Sequence, residues 1–121
     1  MYNKEIHEDG RLKLEIHYQP DKVIVIWLGE SKEREPIKFI APVFEKIYQK
    51  DPTNPIILDF TKLDYMNSST VTPIVKQIEK ARQSKRKLEI HYKSNLKWQE
   101  LSFSALRVFL VPGLIEVKGI A

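Results

Sequence analysis

Six consecutive apolar residues, Val23–Leu28 (VIVIWL), constrain this chain more than any other stretch. They are too few to span a bilayer, which takes roughly 20 residues, and too continuous for a strand with one wet face. They read as a strand covered on both faces and ended by Gly29. Pro55–Phe60 (PIILDF) reads as another buried strand. Between the two, Ile37, Ile40, Phe44 and Ile47 carry helical spacing. Pro42 sits inside that spacing, so the helix starts near Ala41 or kinks there, and Asp51-Pro52 stops it.

Residues 2–8 read as a first strand, joined at Asp9-Gly10 by a tight hairpin to Arg11–Tyr18. There Leu12, Leu14, Ile16 and Tyr18 alternate with Arg11, Lys13, Glu15 and His17. After PIILDF and a loop, TKLDYMNSST, a second helix turns Ile74, Val75, Ile78 and Ala81 inward and Lys76, Lys80 and Arg82 outward. Leu88, Ile90 and Tyr92 form the inner side of a half-exposed strand. A third helix runs from about Leu96 to Phe109, with Trp98, Leu101, Ala105 and Phe109 as its stripe, and Leu114–Val117 is the last strand. This order predicts one α/β domain over residues 1–121, with residues 1–10 an N-terminal extension or extra strand. Its mixed sheet of five to six strands has three helices, a parallel core and antiparallel N-terminal strands. The hexapeptide KLEIHY occurs twice, at 13–18 and 87–92. Its flanks differ, so it reads as coincidence between two amphipathic strands.

At 121 residues and 42% hydrophobic, the chain supports one core rather than disorder. With no Cys, disulfide scaffolds, thiolate zinc sites and Cys nucleophiles are excluded. The net charge of +4 comes from one segment: Lys76–Lys93 holds seven basic residues against Glu79 and Glu89. Tyr92 is the sole aromatic there and no nucleic-acid motif is present, so the segment reads as a solvated helix face and basic turn, or a docking surface for an acidic protein. No GxxxxGK[ST], GxGxxG or GxSxG occurs, and four glycines leave little for a phosphate cradle. His7, His17 and His91 are scattered, with His17 and His91 on the polar sides of strands. Asp59 and Asp64 bracket the end of the central strand, where Asp59 reads as a loop-orienting carboxylate. A non-enzyme without metal or cofactor is expected. The polar opening MYNKEIHEDG has no leader-like apolar core, so a cytoplasmic protein without membrane insertion is expected.

The informative stretch is LDFTKLDYMNSST, residues 58–70, where a buried strand leads through a turn and small hydroxyl residues into an amphipathic helix. A helix N-terminus exposes unpaired N–H groups, which favour a phosphate on a nearby hydroxyl. Equally, Asn67, Ser68, Ser69 or Thr72 serves as a cap, with Thr72-Pro73 reading as cap and first helical residue.

This stretch resembles the centre of a STAS domain, the fold of bacterial anti-sigma factor antagonists, in which D-S-S-G opens the helix. LEIHYQPDKVIVIWLGE is similar to the opening strand pair, and ALRVFLVPGLIEV to the third helix and final strand. Here Asn67 stands for the Asp and Thr70 for the Gly, and the helix after the last strand has no counterpart before Ala121. The N-S-S loop, IAPVFEKIY and Trp98-Gln99 are similar to a divergent STAS-like branch. The resemblance implies a bacterial signalling regulator that works by partner switching. Ser68, with Ser69 second, would be phosphorylated by a histidine-kinase-like ATPase-type serine kinase and dephosphorylated by a PP2C-like phosphatase. The downstream target would be an anti-sigma factor or a nucleotide cyclase. Met66, Asn67, Ser69, Thr70 and an exposed Phe103 are the expected partner-binding residues. The alternatives are a constitutive STAS-like scaffold subunit without phosphorylation and a nucleic-acid-binding basic domain.

Overall fold

Gly10 and Arg11 connect the first two strands, β1 (Asn3–Asp9) and β2 (Leu12–Tyr18), and Gly10 adopts the φ of +60° that the first position of such a hairpin favours. The computed structural model of the protein describes residues 3–121, so Tyr2, expected within the first strand, lies outside the described residues. β2 pairs antiparallel with β3 (Val23–Ser31) along its whole length, from Tyr18↔Val23 to Leu12↔Gly29. β3 then pairs parallel with β4 (Ile56–Asp59) and, past Gly29, with β5 (Leu63–Met66). Gly29 therefore does not end the strand as expected. It sits at φ +83° where the register shifts, and a Cβ there would lie 2.0 Å from the Arg11 carbonyl oxygen. The stretch expected as a loop after β4 thus contains a strand of its own.

The remaining elements are α1 (Ile37–Lys50), a 3-10 turn (Ser68–Thr70) running into α2 (Val71–Ser84), β6 (Leu88–Lys93), α3 (Lys97–Ser104) continuing as a 3-10 turn (Ala105–Phe109), and β7 (Ile115–Ile120). α1 begins a turn earlier than Ala41 and runs through Pro42, which lies on its exposed side, where the carbonyl that loses its donor faces solvent.

The sheet order is β1-β2-β3-β4-β6-β7, with β5 beside β3. β4, β6 and β7 are each added on the same side of the preceding strand of the sheet, and right-handed crossovers then put every helix on one face. A single core forms there from Leu14, Ile16, Trp27, Leu58 and Ile90 of the sheet with Phe44, Ile47, Ile74 and Phe103 of the helices. Trp27, Phe60 and Phe103 pack in series with tilted rings, their centroids 4.7 and 4.6 Å apart.

The other face of the sheet has no helix, which corrects the expectation that VIVIWL is covered on both sides. Ile24, Ile26 and Leu28 are only half-buried. Across this open face the ladder aligns one row of Lys4, His17, Ile24, Ile57, Glu89 and Glu116. The next row runs through Ile6, Glu15, Ile26, Asp59, His91 and Lys118.

Two other expectations fail. The stripe assigned to the third helix is out of phase: Gln99, Phe103 and Leu106 are buried, while Leu101 is 68% and Val108 81% exposed. Arg86, counted among the surface cations, is buried, donating from Nε to the Asn54 carbonyl (2.7 Å) with Nη2 3.5 Å from Asp51. Among the described residues no helix is long and apolar enough to cross a membrane.

Candidate functional site

β4 ends in a turn held by Asp59, whose Oδ1 accepts from Thr61 N (2.9 Å) and Thr61 Oγ1 (2.7 Å). Asp59 thus orients the loop, and Asp64 is exposed on the far side of the turn. Gln99 of α3, fully buried, locks the same turn from below. Its Nε2 donates to the carbonyls of Phe60 (2.7 Å) and Leu63 (3.0 Å), while its Oε1 accepts from Lys93 N (2.7 Å). Helix, turn and β6 are fixed to one another by one amide.

Beyond β5 the chain is tied to the end of β3. Asn67 N donates to the Ser31 carbonyl (2.9 Å), and Asn67 Nδ2 to the Glu33 carbonyl (2.8 Å). Asn67 Oδ1 accepts from Thr70 N (3.1 Å) and Thr70 Oγ1 (2.7 Å), and Thr70 Oγ1 is 2.7 Å from Ser31 Oγ. Asn67 is therefore the N-cap, and neither Ser68 nor the Thr72-Pro73 pair is. Ser68 and Ser69 stand exposed above this network, and no hydrogen bond among the described residues engages either hydroxyl.

The expected partner-binding set divides accordingly. Asn67, Ser68 and Ser69 reach the surface. Thr70 is 0% exposed and bonded on both sides, and Met66 belongs to the core cluster, so neither offers a side chain to a partner. Phe103, expected outside, is 0% exposed between Phe60 and Tyr92, because the buried Gln99 four residues earlier sets the inward face of α3. The exposed aromatic beside the loop is Tyr65, with the Lys32 ammonium 5.9 Å from its ring centroid. Tyr65, Lys32, Glu30 and Asn67 line an open cleft. Lys32 and Arg11 hold the Glu30 carboxyl below its ordinary range by hydrogen bonding and charge, so the cleft carries both signs. Sequence spacing gave no sign of Tyr65, since Asp64 and Tyr65 are exposed in succession within a strand only four residues long.

The decisive comparison is with an uncharacterized protein of the DUF3478 family from Shewanella loihica PV-4, whose fold is described as SpoIIAA-like. The two structures match with a TM-score of 0.56 and 16% identity over 98% of this chain and 87% of the other. The fold is SpoIIAA-like, that is, STAS-like. No family model matches the chain, and no curated protein does. In this STAS-like fold the Asn67–Thr70 segment occupies the strand-to-helix loop that the sequence resemblance singled out. Its Asn and Thr act together: Thr70 uses its hydroxyl on Asn67 and Ser31, and the Asn67 amide donates to Glu33 as a carboxylate could not.

Proposed function

We propose that this chain is a non-catalytic, phosphorylation-controlled protein-binding module that works by partner switching in bacterial signalling, within the cytoplasm. The observation that carries it is the Ser68 hydroxyl, exposed and unengaged on a loop whose neighbours are otherwise tied down. A serine kinase of the histidine-kinase-like ATPase type would add the phosphate at Ser68, a PP2C-like phosphatase would remove it, and an anti-sigma factor or nucleotide cyclase would read the difference. Phosphate at Ser68 adds about −1.5 to −2 charges at neutral pH. The new charge stands at the first turn leading into α2, where free N–H groups favour an anion. Because Asn67 and Thr70 fix the backbone, the modification changes surface charge rather than loop shape. A coupling of about 1–3 kcal/mol changes partner affinity roughly 5- to 150-fold. Tyr65 and the Lys32 ammonium beside it give the partner an aromatic and a cationic contact next to the switch.

Burial of Arg86 interrupts the basic segment, which supports the protein-binding reading over the nucleic-acid one. The test is mass spectrometry of the protein expressed with its cognate kinase, together with binding by Ser68→Asp. A phosphopeptide spanning Ser68 and loss of kinase or target binding by a normally folded Ser68→Asp protein are expected. Unchanged affinity in that variant rejects the proposal.

A further inference from the structure

β2 stops pairing with β3 at Leu12↔Gly29, whereas β3 itself runs on to Ser31. Past that point the chain turns through Lys32 and Glu33 towards α1. A partly enclosed cavity of about 190 Å³ opens there, between the β1–β2 hairpin, the end of β3 and the start of α1. Its apolar lining is Leu12, Pro36 and Phe39, the first two buried. The walls are fixed on both sides. Glu30 N donates to the Arg11 carbonyl (3.0 Å), which joins hairpin to strand. The Ser31 and Glu33 carbonyls accept from Asn67, and the Ser31 hydroxyl is 2.7 Å from Thr70 Oγ1. A cavity held in this way exists before any ligand arrives, which spares the cost of ordering it. An apolar cavity of roughly 150 Å³ accepts benzene, so this one has room for about one ring and a short chain.

The charged rim sets the sign of what enters. Arg11 and Lys32 are both spent on Glu30, at 3.2 and 3.3 Å. Asp9 and Glu33 also line the cavity, and among the described residues neither carboxylate has an ion pair or a hydrogen bond. A Cβ on Gly10 would lie 3.8 Å from Glu33 Oε2, so the Glu33 carboxylate reaches across to the hairpin tip. Three carboxylates against two cations leave one negative charge on the rim, in a chain whose net charge is +4. The start of α1 does not reverse this. The N–H groups of Lys38, Phe39 and Ile40 are bonded to the Glu35 and Pro36 carbonyls, and Pro36 has no N–H to offer. We propose that the cavity binds a small organic monocation, an ammonium group on an apolar body of about one ring. The ammonium faces Asp9 and Glu33, and the ring lies against Leu12, Pro36 and Phe39. An anion of the same size would have to displace Glu30 from its two cations. The site is complete without Ser68 and does not depend on its modification.

Titration followed by amide chemical shifts tests this. The probe is phenethylammonium, and the control is phenylacetate, a similar ring and chain with the opposite charge. Phenethylammonium is expected to shift the amides of Leu12, Ser31 and Phe39 with a Kd of about 1 mM or tighter. Phenylacetate at the same concentrations is expected to leave those amides unmoved. Asp9→Asn and Glu33→Gln, which neutralise the rim without entering the core, are each expected to weaken phenethylammonium at least about fivefold, with amide spectra otherwise like the parent's. Glu8→Gln removes a neighbouring carboxylate that does not line the cavity, and is expected to change the Kd less than about twofold. No shift up to about 10 mM phenethylammonium overturns the proposal. So does equal binding of phenylacetate, parental affinity in Asp9→Asn and Glu33→Gln, or an equal loss in Glu8→Gln.

Discussion

Asn67 uses its amide from both ends: Oδ1 caps the first turn of the helix and Nδ2 donates to the Glu33 carbonyl. Asp at this position would retain the cap but turn an acceptor toward a carbonyl oxygen. Asn67→Asp, although it restores the residue usual in the resembled pattern, is therefore expected to lower stability by about 0.5–1.5 kcal/mol in denaturant unfolding, the worth of one exposed hydrogen bond. Ser68→Ala, by contrast, removes a hydroxyl with no partner and is expected to stay within about 0.5 kcal/mol of the parent, separating its signalling effect from any capping effect. Gly29 tolerates least. A Cβ would meet the Arg11 carbonyl oxygen at 2.0 Å in a backbone with φ +83°, so Gly29→Ala is expected to cost several kcal/mol, on the order of the largest single-site losses, and to appear as a large drop in the thermal midpoint.

Between elements, one amide does the joining that apolar contacts do elsewhere. Gln99→Leu keeps the volume but removes the amide from the Leu63 carbonyl and Lys93 N and leaves the Phe60 carbonyl with Leu63 N alone, and about 2–4 kcal/mol of destabilisation is expected, with faster amide hydrogen exchange in the β4–β5 turn. The same residue explains why α3 was misread. Its inward positions are Gln99, Phe103 and Leu106, and a polar residue at the first of them leaves the apolar spacing pointing at Leu101 instead. The strands of the sheet were legible because their alternation is unbroken in β2 and β6, and α2 because Ile74, Ile78 and Ala81 repeat at helical spacing. β5 was not legible, since its two buried residues, Leu63 and Met66, stand three apart, a helical rather than a strand spacing. At the site, the chemistry of the loop could be read from Ser68 and Asn67. The burial of Thr70 depends on Ser31, 39 residues away, and local sequence does not show such a partner.

Over the whole molecule, several carboxylates hold the fold together by being ionised. The hydrogen bond from Lys50 holds Glu5 below its ordinary value, and that with His91, helped by Lys118, does the same for Glu89. Burial pushes Asp51 up, but hydrogen bonds from Asn54 and Thr53 and the charge of Arg86 outweigh it. Each group has a folded pKa below the unfolded one, so its contribution is complete above the unfolded value of 4.5 or 3.8 and is lost as pH falls through the folded value. The thermal midpoint is expected to be flat through neutrality and to fall below about pH 4, with a shallower fall in Asp51→Asn. The strand order also bears on how the chain is made. β1, β2 and β3 join through short turns, and β1 and β2 pair only with their sequence neighbours, so this meander can close once Ser31 has left the ribosome. β3 then waits with one edge open, its first half for β4 and its second, past Gly29, for β5. The segment bearing Ser68 takes its shape on a template synthesised before it, and an error at Gly29 would spoil that template before the segment emerges.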